Sequence, residues 1–440
     1  MYNMNKPTIL VTAPVLTRSG YGNHARDICR ALIELDKYNV KINSVRWGST
    51  PLNALEDGNE HHEKIKAHIL DNPSLPSQPE LHLHIVIPNE FQPIAKKNIG
   101  MTAGMETSIP KPEWVDATNR MDETIFTSRF AEHCFKVAEF DVEKQPGVVV
   151  KMNKPSSVLF EGVDTETYKP TNVFSDEVKE VFSNIEENFC FLFVGHWLQG
   201  GLGKDRKDLG MLVKVFLETF KNQKNAPALV LKTSGADFSI LDREDCLKKI
   251  EHIKKSVQGV LPNIYLVHGE FTDVQMNELY NHPKIKTHIT FTHGEGFGRP
   301  LLEATQSGKP VVAPGWSGQV DFLNQNYAVL LPGNLNQAPK DAFPKDILFD
   351  SPDNKWITVN YNVSSNIMKD IVKNYPKYLV KAKQLQIYCK QKFSFEAMKQ
   401  ILEKKIDSYL ESLPQSVELK LPKLNKVDEN KIKLPKLKKA

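Results

Sequence analysis

The chain has 440 residues, with 57 Lys and Arg against 53 Asp and Glu, 40% hydrophobic residues and 25% charged residues. This is the composition of an ordinary globular protein, long enough for two or three domains whose cores need no disulfide or metal staples. No stretch approaches the roughly 18 consecutive apolar residues that a membrane-spanning helix needs, and the five cysteines are odd in number, far apart and without a Cys-x-x-Cys pair. Neither a disulfide framework nor a zinc knuckle fits, and a reducing cytoplasmic compartment is expected.

Near the N-terminus, Ile9-Leu-Val-Thr-Ala-Pro-Val-Leu is too brief for a secretory apolar region and contains Pro14; residues 9–13 read as a first buried strand. A helix is expected over 24–35, with Ile28, Leu32 and Leu35 on one face. Strands follow at 40–47, 81–87, 99–103, 124–127 and 157–160, while residues 48–79 lack a period and read as a long loop. A second series runs strand 189–194, helix 209–220, strand 228–231, helix 243–257, strand 264–267, helix 273–280, strand 287–292, helix 300–307 and strand 310–313. Such alternation is the signature of parallel α/β sheets, here as two complete units joined near 170–188. Beyond residue 363 the pattern is helical, with Ser394 as N-cap of a helix to about 413.

Residues 414–440 carry eight Lys against three acids, leaving the rest of the chain at a net charge of −1. The motif Leu-Pro-Lys-Leu-x-Lys occurs there twice, at 421–426 and 434–439, and its prolines argue against a continuous helix. Such a flexible basic tail could hold DNA phosphates, an anionic membrane or an acidic partner, or serve only as a solubilising end.

The most informative segment is Phe291-Thr-His-Gly-Glu-Gly-Phe-Gly-Arg-Pro-Leu-Leu-Glu303, followed by Gly308-Lys-Pro-Val-Val. A strand leads into a glycine-rich loop, and Pro300 occupies a first-turn helix position. Such a loop offers backbone N–H groups to an anion, normally a phosphate. Glu295 and Glu303 can project into one pocket and accept paired hydroxyl hydrogen bonds, one from a sugar and one from a ribose. Upstream, the loop from Gly195 to Asp208 supplies Arg206 and Lys207, which could neutralise a departing diphosphate. A Walker A loop fails there: Leu198 stands six residues before Lys204, where Gly is required, and Asp205 follows it.

These residues resemble the retaining glycosyltransferases of family 4, with the GT-B architecture of two facing Rossmann-like domains. The chief match is the Glu-x7-Glu motif, Glu295 to Glu303. Others are Glu161-Gly-Val-Asp-Thr-Glu-Thr-Tyr-Lys-Pro170 and the stretch 106–130, with Pro112-Glu-Trp-Val, Asp122-Glu and Thr127-Ser-Arg-Phe. The resemblance spans about residues 8–410. It implies an acceptor-binding domain over 1–170, a nucleotide-sugar-binding domain over 171–392, a C-terminal helix over 393–413 and the tail from 414. By the same resemblance Lys207 binds phosphate, Glu303 binds the ribose, and Glu295 with the backbone of Gly296, Phe297 and Gly298 contacts sugar and diphosphate. The first loop, with Gly20 and Gly22, closes on the diphosphate.

His196 stands where the family usually has Arg, so Arg206 or Lys232 is the expected second phosphate cation. Lys232 ends a strand on the nucleotide side, though a plain surface lysine would look the same, and His196 reads more readily as a hydrogen-bonded than as a catalytic residue. On the acceptor side, Asn89 and Glu90 follow a strand's carboxyl end, and Glu106 follows a later one; each could equally be a turn or capping residue. The resemblance implies transfer of a hexosyl or pentosyl group from a nucleoside diphosphate sugar to an acceptor hydroxyl. The acceptor would be a glycan, a lipid-linked sugar or, in a phage-type member, a hydroxymethylated DNA base. A catalytically idle nucleotide-sugar-binding scaffold is the alternative of another class. No Asp-x-Asp pair occurs, so no metal and no cofactor beyond the sugar donor is expected.

Overall fold

The computed structural model describes residues 6–48, 50–141, 147–235, 238–343 and 347–414. The first half contains β1 (Thr8–Ala13), α1 (Gly20–Leu35), β2 (Asn39–Ser44), α2 (Glu60–His68), β3 (Leu81–Ile85), β4 (Lys97–Thr102) and α3 (Pro112–Thr118). It continues with β5 (Glu123–Phe126), α4 (Arg129–Val137), β6 (Glu139–Asp141), β7 (Val149–Lys151) and β8 (Ser156–Val158). The second half contains α5 (Asp176–Ser183), β9 (Cys190–Val194), α6 (Leu209–Phe220), β10 (Ala228–Lys232), α7 (Ile240–Lys255), β11 (Ile264–Val267), α8 (Asp273–Asn281) and β12 (Ile285–Ile289). Then come α9 (Arg299–Thr305), β13 (Val311–Pro314), β14 (Val329–Leu331), β15 (Gly333–Gln337), β16 (Lys355–Val359), α10 (Tyr361–Lys373), α11 (Tyr375–Lys392) and α12 (Phe395–Glu411).

Two six-stranded sheets result, ordered β2-β1-β3-β4-β5-β8 and β11-β10-β9-β12-β13-β14. Every pairing within them is parallel. Parallel strands covered by helices on both faces are apolar throughout rather than alternating; Cys190 to Phe193 of β9 are all fully buried. The order reverses between β1 and β3 in the first sheet and between β9 and β12 in the second, which opens a crevice at the carboxyl ends of each. The architecture is that of two Rossmann-like units. β15 and β16 form a separate antiparallel hairpin.

The chain crosses back at its end. In α12, Phe395, Met398, Leu402, Ile406 and Tyr409 recur at helical spacing and join the core of the first sheet, with Ile9, Val11, Ile28 and Leu32. Tyr38 and Lys37 fasten the outer turn through Asp407, at 2.7 and 2.9 Å.

Within the segment expected to be loop, 48–79, the structure has α2. Asn59 caps it by accepting from the His61 and His62 N–H groups, but Ile65 is its one buried residue, so no apolar period announces it. The basic tail lies, from residue 415, outside the described residues. Among those described, all five cysteines are buried free thiols and no helix is long and apolar enough to cross a membrane.

The packing of α12 makes a stability prediction. Leu402→Ala should cost about 2–5 kcal/mol in urea unfolding, because it leaves a cavity under the first sheet. Ile240→Ala, at a side chain 79% exposed, should stay within ~0.5 kcal/mol.

Candidate active site

The loop after β9 and the loop after β12 emerge side by side at the crevice of the second sheet. In the first of them Asp205 turns back to accept the Leu209 and Gly210 N–H groups of α6, at 3.0 and 3.4 Å. Asp208 sits at the N-cap with φ 49° and accepts from the Tyr361 hydroxyl at 2.7 Å. The residue that excluded a Walker A loop thus caps the helix, and the turn it makes leaves Arg206 and Lys207 directed into the crevice.

Lys207 Nζ lies 2.5 Å from Glu295 Oε1. Arg206 Nη1 lies 3.6 Å from both Glu295 Oε2 and Glu106 Oε1, and donates to the Gly294 carbonyl at 3.1 Å. Burial opposes ionisation of Glu295, but Lys207 and Arg206 outweigh it and hold the carboxyl below its usual range. Burial also pushes Lys207 down, with Glu295 opposing. Glu106 belongs to the first unit, so this cluster spans the cleft. The backbones meet there as well: a Cβ on Gly294 would stand 2.1 Å from the Glu106 carbonyl oxygen, and one on Gly296 would stand 2.3 Å from that of Ala103. No side chain fits between the two loops, which is the physical reason for glycine at both positions.

The other expected donor-side residues surround this cluster. His196 Nδ1 contacts Ser234 Oγ at 3.2 Å; burial, and then Lys207, Arg206 and Lys232, lower its pKa to about 4, so it is neutral near pH 7. Lys232 is buried, not a surface lysine. It donates to the Gly269 carbonyl at 2.5 Å over the rings of Phe271 and Phe238, and burial brings its pKa down to about 8. The Phe297 side chain points away into the core, its ring 5.1 Å from that of Phe322, which leaves only its backbone for a ligand. Gly298 is the N-cap of α9 with φ 96°. In the first loop Ser19 caps α1 by accepting from Gly22 N–H; a Cβ on Gly22 would stand 2.2 Å from the Thr17 carbonyl oxygen, whereas Gly20 has open space. Arg18 of that loop reaches Glu270 of the second unit at 3.5 Å.

Glu303 is held differently from Glu295. Its Oε1 accepts from Arg299 Nε at 2.9 Å and its Oε2 from the Tyr280 hydroxyl at 3.4 Å. Arg299 also pairs with Asp27 of α1. Glu161 is buried beside this group, within the electrostatic reach of Arg299, Asp27, Glu303 and Glu295. Arg299, Asp27 and Glu161 were not among the expected site residues. Arg299 had a signal, its i,i+4 spacing to Glu303 on a helix; Asp27 had none. Of the acceptor-side candidates only Glu106 joins the cluster. Asn89 and Glu90 are exposed in a 3-10 turn, Pro88–Glu90, where the Asn89 carbonyl accepts from Arg120 at 3.4 Å.

No protein-family profile and no curated protein sequence matches the chain. Among solved structures it is similar to that of Anabaena Alr3699/HepE in complex with UDP and glucose, at 14% identity, a TM-score of 0.57, and 91% of this chain and 100% of that chain covered. It is similar also to a glycosyltransferase from Rickettsia africae ESF-5, at 15% identity and a TM-score of 0.59, with 94% and 100% covered. A third is sucrose-phosphate synthase from Thermosynechococcus elongatus, at 13% identity and a TM-score of 0.60, with 91% and 98% covered. The chain is an α/β protein of the GT-B fold, with its charge cluster between the switch point of the second sheet and the loop after β4 of the first.

The buried carboxyls predict a pH dependence. Burial raises Glu303 to about 7 and Glu161 to about 8, from ordinary values near 4.5. Between pH 4.5 and 8 the native chain therefore holds protons that the unfolded chain has released, and stability falls as pH rises. Glu161→Gln should flatten this decline and raise stability at pH 8 by ~1 kcal/mol or more, measured by urea unfolding across pH. An unchanged slope would contradict the burial of Glu161.

Proposed function

We propose that this protein is a retaining glycosyltransferase that moves a sugar from a nucleoside diphosphate sugar to an acceptor hydroxyl. The observation that carries the reading is the cluster of Lys207, Arg206 and Glu295, largely shielded from solvent at the switch point of the second sheet, met by the half-buried Glu106 from the loop after β4 of the first. A diphosphate entering the crevice takes over Lys207 and Arg206 from the carboxylates. Their charge then stabilises the negative charge that develops as the bond from the anomeric carbon to phosphate breaks. Glu295, released from Lys207, accepts hydroxyls of the transferred sugar, and Glu303 accepts those of the ribose. Glu106 faces the acceptor hydroxyl from the other unit. The acceptor oxygen attacks from the side the diphosphate leaves, the new glycosidic bond forms with retention, and the hydroxyl proton passes to the departing phosphate. His196, neutral and bonded to Ser234, supplies no charge. The two side-chain cations do the work for which other enzymes use a divalent metal, so the reaction should run in EDTA. UDP-glucose is the first donor to try, since the Anabaena structure holds UDP and glucose.

Release of nucleoside diphosphate from a panel of nucleotide sugars in EDTA tests this. Lys207→Ala should slow release about 100-fold or more, whereas Glu303→Ala should chiefly weaken donor binding. Loss of activity in EDTA would overturn the metal-independent reading. Absence of both release and donor-induced thermal stabilisation would overturn the transferase reading itself.

A further inference from the structure

The β15–β16 hairpin belongs to neither parallel sheet and contributes no residue to the charge cluster. Its second strand nevertheless binds both loops that carry the cluster's carboxylates. On one side Ile357 N–H donates to the His293 carbonyl at 3.2 Å, and His293 Nδ1 meets the Ile357 carbonyl at 2.5 Å. The His293 ring also stacks on Trp356, with centroids 3.9 Å apart, and the His293 backbone N–H donates to the Arg206 carbonyl at 2.9 Å. On the other side Ser108 N–H donates to the Lys355 carbonyl at 2.8 Å and Lys355 N–H donates to Ser108 Oγ at 2.9 Å. Ile109 N–H donates to Asn354 Oδ1 at 3.0 Å. Glu295 stands two residues after His293, and Glu106 two residues before Ser108.

We propose that β16 is a brace that sets the position of Glu106 relative to Arg206 and Glu295, with Asn354 as the positioning residue. Its role toward an acceptor rests on the transferase reading; the brace itself does not. Asn354 is fully buried and every polar group it has is used. Nδ2 donates to the Phe349 carbonyl at 2.9 Å, the backbone N–H donates to Ser351 O at 3.1 Å, and the carbonyl accepts from Ala338 at 2.9 Å. Alanine at this position leaves the Ile109 N–H and the Phe349 carbonyl without these partners. Ser108 stands only two residues from Glu106 in the same loop, so a shift at Ser108 passes directly to Glu106, whose carboxylate stands 3.6 Å from Arg206. Displacements of about 1 Å are enough to cost 100-fold in a reaction that depends on orientation.

Four full-length variants test the proposal: Asn354→Ala, Asn354→Asp, Glu106→Gln, and Asn354→Ala combined with Glu106→Gln. Release of UDP from UDP-glucose, or from whichever panel donor responds, is measured together with donor affinity and amide hydrogen exchange over residues 104–109. Asn354→Ala should lower turnover about tenfold or more with donor affinity within about threefold. Asn354→Asp, which keeps the acceptor for Ile109, should recover part of the loss. The double variant should be no slower than Glu106→Gln alone within about twofold, because residues acting through one another do not add. The Ser108 and Ile109 amides should exchange at least about tenfold faster in Asn354→Ala. Losses that multiply in the double variant, or a matching loss of donor affinity, would overturn the route through Glu106. If the parent itself turns over no donor, the exchange measurement alone decides the brace: faster exchange supports it and unchanged exchange overturns it, while the transferase reading fails only if donor-induced thermal stabilisation is absent as well.

Discussion

The cleft of this protein depends on keeping Lys207, Arg206 and Glu295 together out of water. Their side chains are only 11 to 15% exposed, and a buried charge without a partner costs several kcal/mol. Each cation must therefore find a carboxylate in the free protein, and Glu295 and Glu106 meet that need; under the proposed function a diphosphate would take their place. The same requirement explains why glycine occupies positions 294 and 296, where the loop of the first unit closes over the cluster and excludes solvent.

That closure is held at several points by unlike forces. Arg299 joins Asp27 of α1 to Glu303 of α9, and Arg18 reaches Glu270. Tyr21 ties the start of α1 to the neighbouring loop, its hydroxyl accepting from the Ala103 and Gly104 N–H groups at 3.2 and 3.3 Å. The two loops of the first unit are thus tied together beside Glu106. α12 returns from the second unit to complete the first core, so the units are linked by a shared apolar interior as well as by the chain between them.

Much of this was legible in the residues. The second sheet was marked by apolar strands alternating with periodic helices, and α6 and β11 fall on the expected residues, 209–220 and 264–267. Glu295, Glu303, Arg206 and Lys207 stood out because a strand, a glycine loop and a helix in that order form an anion site by local geometry alone. Glu106 was marked by its place after a strand. α2 was not legible, since its cap gave a start but one buried residue gave no period. Nor were β15 and β16 as a brace: the outer strand is largely exposed, and nothing local tells what Asn354 faces.

Local pattern determined the two α/β units, the loops that end their strands and the charged residues on those loops, because hydrophobic periodicity and helix caps act within a few residues of one another. Pairing was decided only by the tertiary structure. Lys207 meets Glu295 across 88 positions, Ser108 meets Lys355 across 247 and Arg299 meets Asp27 across 272. Contacts at such separations arise from how the packed sheets bring loop ends together, and no spacing within either partner's own segment encodes the other.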